Sequence, residues 1–366
     1  MINRLQVLQQ YLTEFQIDAA FINSTENIFY LTNFYIDPHE RLAGVLLFSK
    51  TEPLMIVPSM EVSQAKAAGW EHEIIGYEDH EDPWSLLQKA VNSRRISDAK
   101  TISFEKGTLS YERGESFQSL FSSPTIVSIE EKLNNMRVVK SEAEVNIIRR
   151  AALLADFGVE VGVKALKEGV TELEVVAEIE YELKKKGVRH MSFSTIVLFG
   201  EKSGEPHGNP GHRRLSKGDF VLFDLGVVLD GYCSDISRTV VFGEVNEKQK
   251  AIYEVVLKAQ MASLSISKPG TRVGDLDITA RNIIEENGYG DLFPHRIGHG
   301  LGINVHESPS MSQNNESILK EGMVYTIEPG IYDATIGGVR IEDDVLVTKE
   351  GHEILTKYPK NLQVIV

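Results

Sequence analysis

The sequence predicts a two-domain protein of mixed α/β (α+β) class, and three observations carry that prediction. Up to about residue 130, short β-like runs alternate with helical patterns, as in a layered α/β unit. Near Lys132–Lys140 the texture changes, and two long helical patterns follow. Beyond them the chain turns strand-rich around Asp230-Gly231, a dipeptide that accepts the positive φ angles of a two-residue hairpin turn. A length of 366 residues also exceeds what one core usually supports. The expected domains are residues 1–132 and 133–366.

Residues 2–15 carry apolar side chains at helical spacing (Ile2, Leu5, Leu8, Leu12, Phe15). Strand-like runs follow at Ala19–Ile22, Ala43–Phe48, Leu54–Val57, Glu73–Tyr77, Thr101–Phe104 and Thr125–Ile129. Between them lie helical patterns at Glu61–Ala68, Pro83–Arg94 and Glu112–Phe121. This half contains neither a Gly-rich phosphate loop nor a cluster of metal-ligand type. In the second half, helices are expected over Ser141–Leu166 and Thr171–Lys186. Ser141 with Glu144, and Thr171 with Glu174, fit capping boxes, and Gly187 is a natural stop. The remainder reads as strand-rich, with one further helix near Val273–Asn287 ended by Gly288.

Hydrophobic residues make up 42% and charged residues 25%, an ordinary balance for a soluble globular protein. The formal net charge of −15 argues against nucleic acid and anionic membrane as partners, because both need a basic face. No apolar run approaches the roughly 18–20 residues of a membrane span. The first ten residues interleave polar and apolar side chains without a signal-peptide core. Cys233 is the sole cysteine, so no disulfide forms within the chain, which fits a reducing cytoplasm.

The hairpin at Asp230-Gly231 is the stretch with chemical content. A two-residue turn there sets Gly226 opposite Asp235 and Asp224 opposite Ser237. Asp224 and Asp235 then share a face among Val, Phe, Leu and Ile. Two buried carboxylates facing one space repel each other unless a cation or a proton joins them. A solvated or turn-capping Asp is the bland alternative for either one alone. Together they ask for a metal.

Downstream, His295-Arg-Ile-Gly-His-Gly-Leu-Gly-Ile-Asn-Val-His-Glu307 interleaves three of the ten histidines with glycines that permit close backbone approach. His207 and His212 lie in the loop Glu205–His212, where either could be a simple turn residue. A second acidic segment, Tyr325–Tyr332 followed by Gly337–Asp344, loosely echoes the hairpin and offers Glu328 and Glu342. The echo suggests an internally duplicated unit. Their spacing gives no clean parity around Gly337-Gly338, so the sequence alone does not aim the two acids at one point.

The phrases Phe-Asp-Leu-Gly (223–226), Ser-Asp-Ile-Ser-Arg-Thr (234–239), Gly-His-Gly-Leu-Gly (298–302), Ile-Glu-Pro-Gly (327–330) and Arg-Ile-Glu-Asp (340–343) resemble the metallopeptidases that include prolidase, aminopeptidase P and methionine aminopeptidase. That resemblance spans roughly residues 135–366, and the first 130 residues resemble the N-terminal domain of prolidase, aminopeptidase P and creatinase. It implies a C-terminal pita-bread peptidase domain with internal pseudo-twofold symmetry, preceded by a smaller creatinase/prolidase-type domain. It further implies Asp224, Asp235, His299, Glu328 and Glu342 as ligands of two divalent metal ions. Asp235 and Glu342 would bridge the pair, Asp224 would chelate one ion, and His299 and Glu328 would hold the other. Four carboxylates and one imidazole suit hard or borderline ions: Mn²⁺ first, Co²⁺ or Zn²⁺ as alternatives.

By the same resemblance, His207 and His306 would contact the substrate carbonyl and Glu328 would shuttle protons. Arg340 would either anchor a substrate carboxylate or brace the ligands, and an ordinary ion pair with a neighbouring acid is the plain alternative. Cys233 reads as packing. The implied activity is hydrolysis of the Xaa-Pro bond, with an Xaa-Pro dipeptidase (prolidase) acting on dipeptides as the leading reading. The alternative is aminopeptidase P acting on longer peptides, and more distantly a non-catalytic peptide-binding module on the same fold. Creatinase shares the architecture without the ligand set, so five intact positions count against it. A homodimer is also implied, with Asn33–Arg41 as a candidate lip contributed across it.

Overall fold

The computed structural model describes residues 4–366, so Ile2 of the first helical pattern lies outside the described residues. The chain divides into two units between Asn135 and Met136.

The first unit is built on a six-stranded sheet. Its strands lie in the order Glu73–Tyr77, Leu54–Pro58, Gly44–Phe48, Ala19–Ile22, Thr101–Phe104, Thr125–Ser128. The central strand Ala19–Ile22 runs antiparallel to one neighbour and parallel to the other. It is buried along its whole length, which is why it reads as an unbroken apolar run. Helices Arg4–Glu14, Val62–Ala67, Pro83–Ser93 and Tyr111–Ser119 follow the expected patterns. Asp82 caps the Pro83 helix by accepting from the backbone of Trp84 and Ser85. Phe21 of the central strand stacks on Phe117 of the last of these helices, 5.3 Å between ring centres. A further helix, Thr25–Thr32, has no clear sequence pattern. Buried Glu105 fixes its start by accepting from Asn23 N, Ser24 N, Ser24 Oγ and Asn27 Nδ2.

In the second unit, both predicted capping boxes form, at the starts of helices Glu142–Ala165 and Glu172–Lys185. These two helices pack together and precede a sheet ordered Val364–Ile365, Ile236–Phe242, Phe220–Leu225, Ile196–Phe199, antiparallel except for the parallel edge strand Val364–Ile365. A second helix pair, Glu247–Ser265 with Val273–Glu286, precedes a sheet ordered Glu307–Ser310, His299–Gly300, Val324–Ile327, Asp343–Val347, His352–Ile354. The sequence predicts one further helix, near Val273–Asn287, in an otherwise strand-rich remainder, and the structure adds the helix Glu247–Ser265. Asn246 and Gln249 form a capping box there, and Ile252, Val256, Ala259 and Ser263 bury one face at helical spacing.

The hairpin adopts the anticipated register. Leu229 faces Tyr232 and Val228 faces Cys233 around Asp230 and Gly231, whose φ angles are 48° and 85°. Farther down, Asp224 faces Ser237. Gly226 lies where the two arms come closest, and a Cβ there would stand 1.9 Å from the Ser234 carbonyl oxygen. Gly226→Ala should therefore destabilise the metal-free protein by about 1–3 kcal/mol, measured as a lower urea midpoint at unchanged slope.

Candidate metal centre

The site grows from strand alternation. Asp224 is the next-to-last residue of the strand Phe220–Leu225, and Asp235 immediately precedes its partner, Ile236–Phe242. Ser237 shares their face and donates from Oγ to Glu342 Oε2 at 2.7 Å, while Glu342 N donates to the Ser237 carbonyl at 3.1 Å. On the opposite face, buried Arg238 donates to the Glu342 carbonyl, to Asp343 Oδ1 at 2.8 Å and to the Tyr358 carbonyl. Consecutive side chains of one strand thus tie the first sheet to the segment that carries Glu342.

Glu328 and Glu342 flank the base of a second hairpin, in which Gly330 faces Arg340 and Asp333 faces Gly337. The turn centres on Thr335, not on the Gly337-Gly338 pair, and that is why spacing alone could not relate the two acids. His299 faces Ser310 across the neighbouring strands. Thr326 Oγ1 accepts from His299 N at 3.1 Å and donates to Glu328 Oε1 at 3.3 Å, so one hydroxyl fixes a histidine and an acid together.

Five sequence-predicted ligands therefore come from separate segments into one space. Ligand atoms of Asp235, His299 and Glu342 lie within 4.8 Å of one another. His299 Nε2 stands 3.7 Å from Asp235 Oδ2 and 3.3 Å from Glu328 Oε1. His299 Nδ1 faces the Gly300 carbonyl at 3.2 Å; a carbonyl only accepts, so the ring proton sits on Nδ1 and Nε2 presents a lone pair to the acids. Asp224 Oδ1, Asp235 Oδ1 and Glu342 Oε1 are buried without a hydrogen-bond partner.

The electrostatics agree with that geometry. Burial, then Glu342 and Asp224 nearby, raise the Asp235 carboxyl well above its ordinary value. Burial, then Glu328 and Asp224, raise Glu342 likewise. Burial lifts Glu328 to about 7 against the opposing charge of Arg340. Burial, then the neighbouring His306, lower His299 to about 3, which keeps the imidazole neutral. Lone pairs of Asp235, His299, Glu328 and Glu342 converge on one space, and Arg340, paired with Asp224, is a cation in contact with the acids; an oxygen-rich set with one neutral imidazole fits divalent cations.

Comparison with known proteins agrees. Residues 146–349 match the model of metallopeptidase family M24, and residues 4–139 match the creatinase/prolidase N-terminal domain. The chain belongs to metallopeptidase family M24. Among relatives of this M24 chain is the Bacillus subtilis protein named "Putative dipeptidase YkvY", 59% identical over 99% of this chain and 100% of that one. Solved structures like it include the prolidase from Pyrococcus horikoshii OT3, with TM-score 0.90, 37% identity and 98% and 99% of the two chains covered. Another is the X-Pro aminopeptidase from Thermotoga maritima MSB8, with TM-score 0.87, 33% identity and 98% and 100% covered. The M24 chain is thus a hydrolase of the pita-bread class, in a family that uses divalent metal ions.

Other predicted residues of the M24 site surround this centre. The His306 ring meets that of His299 edge-on at 4.2 Å, and His306 is itself exposed. His207 is exposed in the turn after Gly200–Gly204, and its charge influences His306. Arg340 is buried and donates to Asp224 Oδ2, Ser237 Oγ at 2.8 Å, Tyr332 Oη at 2.9 Å and the Pro206 carbonyl at 3.2 Å. Nearly every Arg340 N–H is thus already committed, one of them in an ion pair with Asp224. Cys233 is buried and donates to the Ile303 carbonyl at 3.3 Å.

Two further elements of the M24 site had weak sequence signals. His295 Nδ1 faces the Arg296 carbonyl at 2.8 Å, so its Nε2 accepts from Tyr332 Oη, also at 2.8 Å. His295 appeared in the histidine-glycine stretch, but nothing in the sequence tied it to Tyr332. Glu307, whose side chain is 6% exposed, accepts from Arg137, from Lys140 Nζ at 3.3 Å and from Asn304 N at 3.0 Å. Burial opposes ionisation there, but Lys140 and Arg137 hold the carboxyl below its ordinary value. This clamp pins the loop that carries His306.

Glu307→Gln should destabilise the fold by about 3–5 kcal/mol, because it removes a buried carboxylate that pairs with Lys140 and Arg137; calorimetry checks this. A second outcome concerns pH. Without metal, folded Glu328 keeps its proton up to about 7, whereas the unfolded carboxyl releases it near 4.5. Its contribution favours folding below the lower value and is lost as the pH rises through the upper one. Added divalent metal should therefore raise the Tm of chelated protein more at about pH 8 than at about pH 5. Scanning fluorimetry reads the difference.

Proposed function

We propose that the chain is a dinuclear-metal Xaa-Pro dipeptidase (prolidase) acting on dipeptides with C-terminal proline. The observation that carries this reading is the grouping of Asp235, His299 and Glu342 ligand atoms within 4.8 Å, with Glu328 beside His299 and three buried acid oxygens, one on Asp224, left unpartnered. Asp235 and Glu342 are assigned to both ions, Asp224 to one, and His299 and Glu328 to the other. When bound, two divalent cations, Mn²⁺ first and Co²⁺ or Zn²⁺ as alternatives, would supply an acidified water and a pull on the scissile carbonyl.

The chain's own residues do the rest. Glu328, held beside His299 and fixed by the Thr326 hydroxyl, is assigned to take a proton from the attacking water and return it to the leaving nitrogen. Partial burial holds His306 below its ordinary value, and the neutral imidazole can donate an N–H to the developing oxyanion. His207 is assigned the same task from the other loop. Arg340 keeps Asp224 oriented. Proline fits this chemistry because an X-Pro bond is a tertiary amide without an N–H. A site that acts on the carbonyl and the water does not need that donor.

Aminopeptidase P is the second reading, supported by the Thermotoga neighbour. Comparing a Xaa-Pro dipeptide with its C-amidated and extended forms separates the two: preference for the free dipeptide supports the dipeptidase. We further assign a cytoplasmic, homodimeric state, supported by the single cysteine, the acidic charge and the family resemblance. Among the described residues, no helix is long and apolar enough to cross a membrane.

Asp235→Ala or Glu342→Ala should each lower kcat/KM for Xaa-Pro hydrolysis by at least ~10³-fold, the scale of several kcal/mol of lost transition-state stabilisation. Chelation should abolish turnover and a defined divalent ion restore it, with metal content followed by elemental analysis. Full turnover by either variant would overturn the metal-site assignment.

A further inference from the structure

A dipeptide differs from a longer peptide by a free carboxylate one residue beyond the scissile bond, and recognising it calls for a cation with unused donors. Two buried or half-buried arginines close to the centre are already committed. Arg340 donates to Asp224, Ser237, Tyr332 and the Pro206 carbonyl. Arg281 is tied to Asp277 and to the carbonyls of Phe293 and His295. No Arg or Lys occurs between Val305 and Leu319.

Arg296 differs from both. It lies directly after His295 and is exposed. Its hydrogen bond is from Nη1 to Ser310 Oγ, at 3.0 Å. Among the described residues no carboxylate pairs with it, in a chain with 53 acids and 38 bases. Ser310 faces His299 across the strand pair, so the bond holds the guanidinium beside the centre. The Ser310 carbonyl is fixed in turn by Asn315 Nδ2 at 2.7 Å. The charge of Arg296 also reaches His299, His306 and Glu328, lowering all three.

We propose that Arg296, held by Ser310, recognises the free α-carboxylate of a dipeptide substrate and thereby sets the preference for dipeptides. This rests on the dipeptidase reading above. Its remaining N–H groups form a fork that a carboxylate can engage with both oxygens. Arg296 is a specificity residue in this role, since the chemistry at the scissile bond belongs to other groups.

The test is steady-state kinetics of metal-loaded wild type, Arg296→Ala and Arg296→Lys on a Xaa-Pro dipeptide, its C-terminal amide and a Xaa-Pro-Ala tripeptide. Arg296→Ala should raise KM for the free dipeptide on the order of 10- to 100-fold, as for one lost charge-assisted contact. It should leave KM for the amide within about twofold, and Arg296→Lys should recover part of the loss. An unchanged Tm and metal content show that the fold and centre are intact. Equal losses on dipeptide and amide, or no loss on either, would overturn the proposal while leaving the dipeptidase reading in place. A wild-type enzyme that prefers the amide or the tripeptide would overturn that reading, and the proposal with it.

Discussion

Everything in the catalytic unit answers to the repulsion among acids gathered around one neutral imidazole. Asp235, Glu342 and Glu328 each hold protons far above the usual carboxylate range, because burial and their neighbours penalise the charge. A fold that brings such groups together loses stability unless something positive joins them. The centre is therefore a place where folding free energy is stored against the arrival of metal, and metal binding and folding are coupled there.

Holding that arrangement requires rigid supports. Arg238 and Ser237, adjacent on one strand, reach opposite faces and grip the segment carrying Glu342 from both sides. Thr326 joins His299 to Glu328, Arg340 joins Asp224 to Tyr332, and the Glu307 clamp fixes the loop before it. The glycines around His299 serve the same end. A Cβ at Gly298 would stand 2.0 Å from the Thr326 carbonyl oxygen, and one at Gly300 would stand 2.2 Å from that of Ser308. Backbone packed this closely leaves the imidazole little room to wander.

The legible parts of the sequence were those governed by local periodicity. Alternation around Asp230-Gly231 was enough to pair Asp224 with Ser237 and to put Asp235 on the same face. Capping boxes marked helix starts, although the box at Asn246–Gln249 was hidden among β-branched residues. The link between Glu328 and Glu342 was not legible without resemblance, because their hairpin turns at Thr335 while the glycines that suggest a turn sit later. Tertiary partners left no local trace: Glu105 capping a helix in the first unit, Glu307 between Arg137 and Lys140, and Tyr332 against His295.

Cys233 has a consequence outside the chemistry. Burial pushes its thiol to about 12, so no thiolate forms at neutral pH, and the sulfur bonds inward to Ile303. Alkylating reagents should pass the native protein by, and sensitivity to them says nothing about its peptidase class. The same inertness makes the wild-type chain a clean background for site-specific labelling, since a cysteine introduced on its surface would be the one that takes the dye.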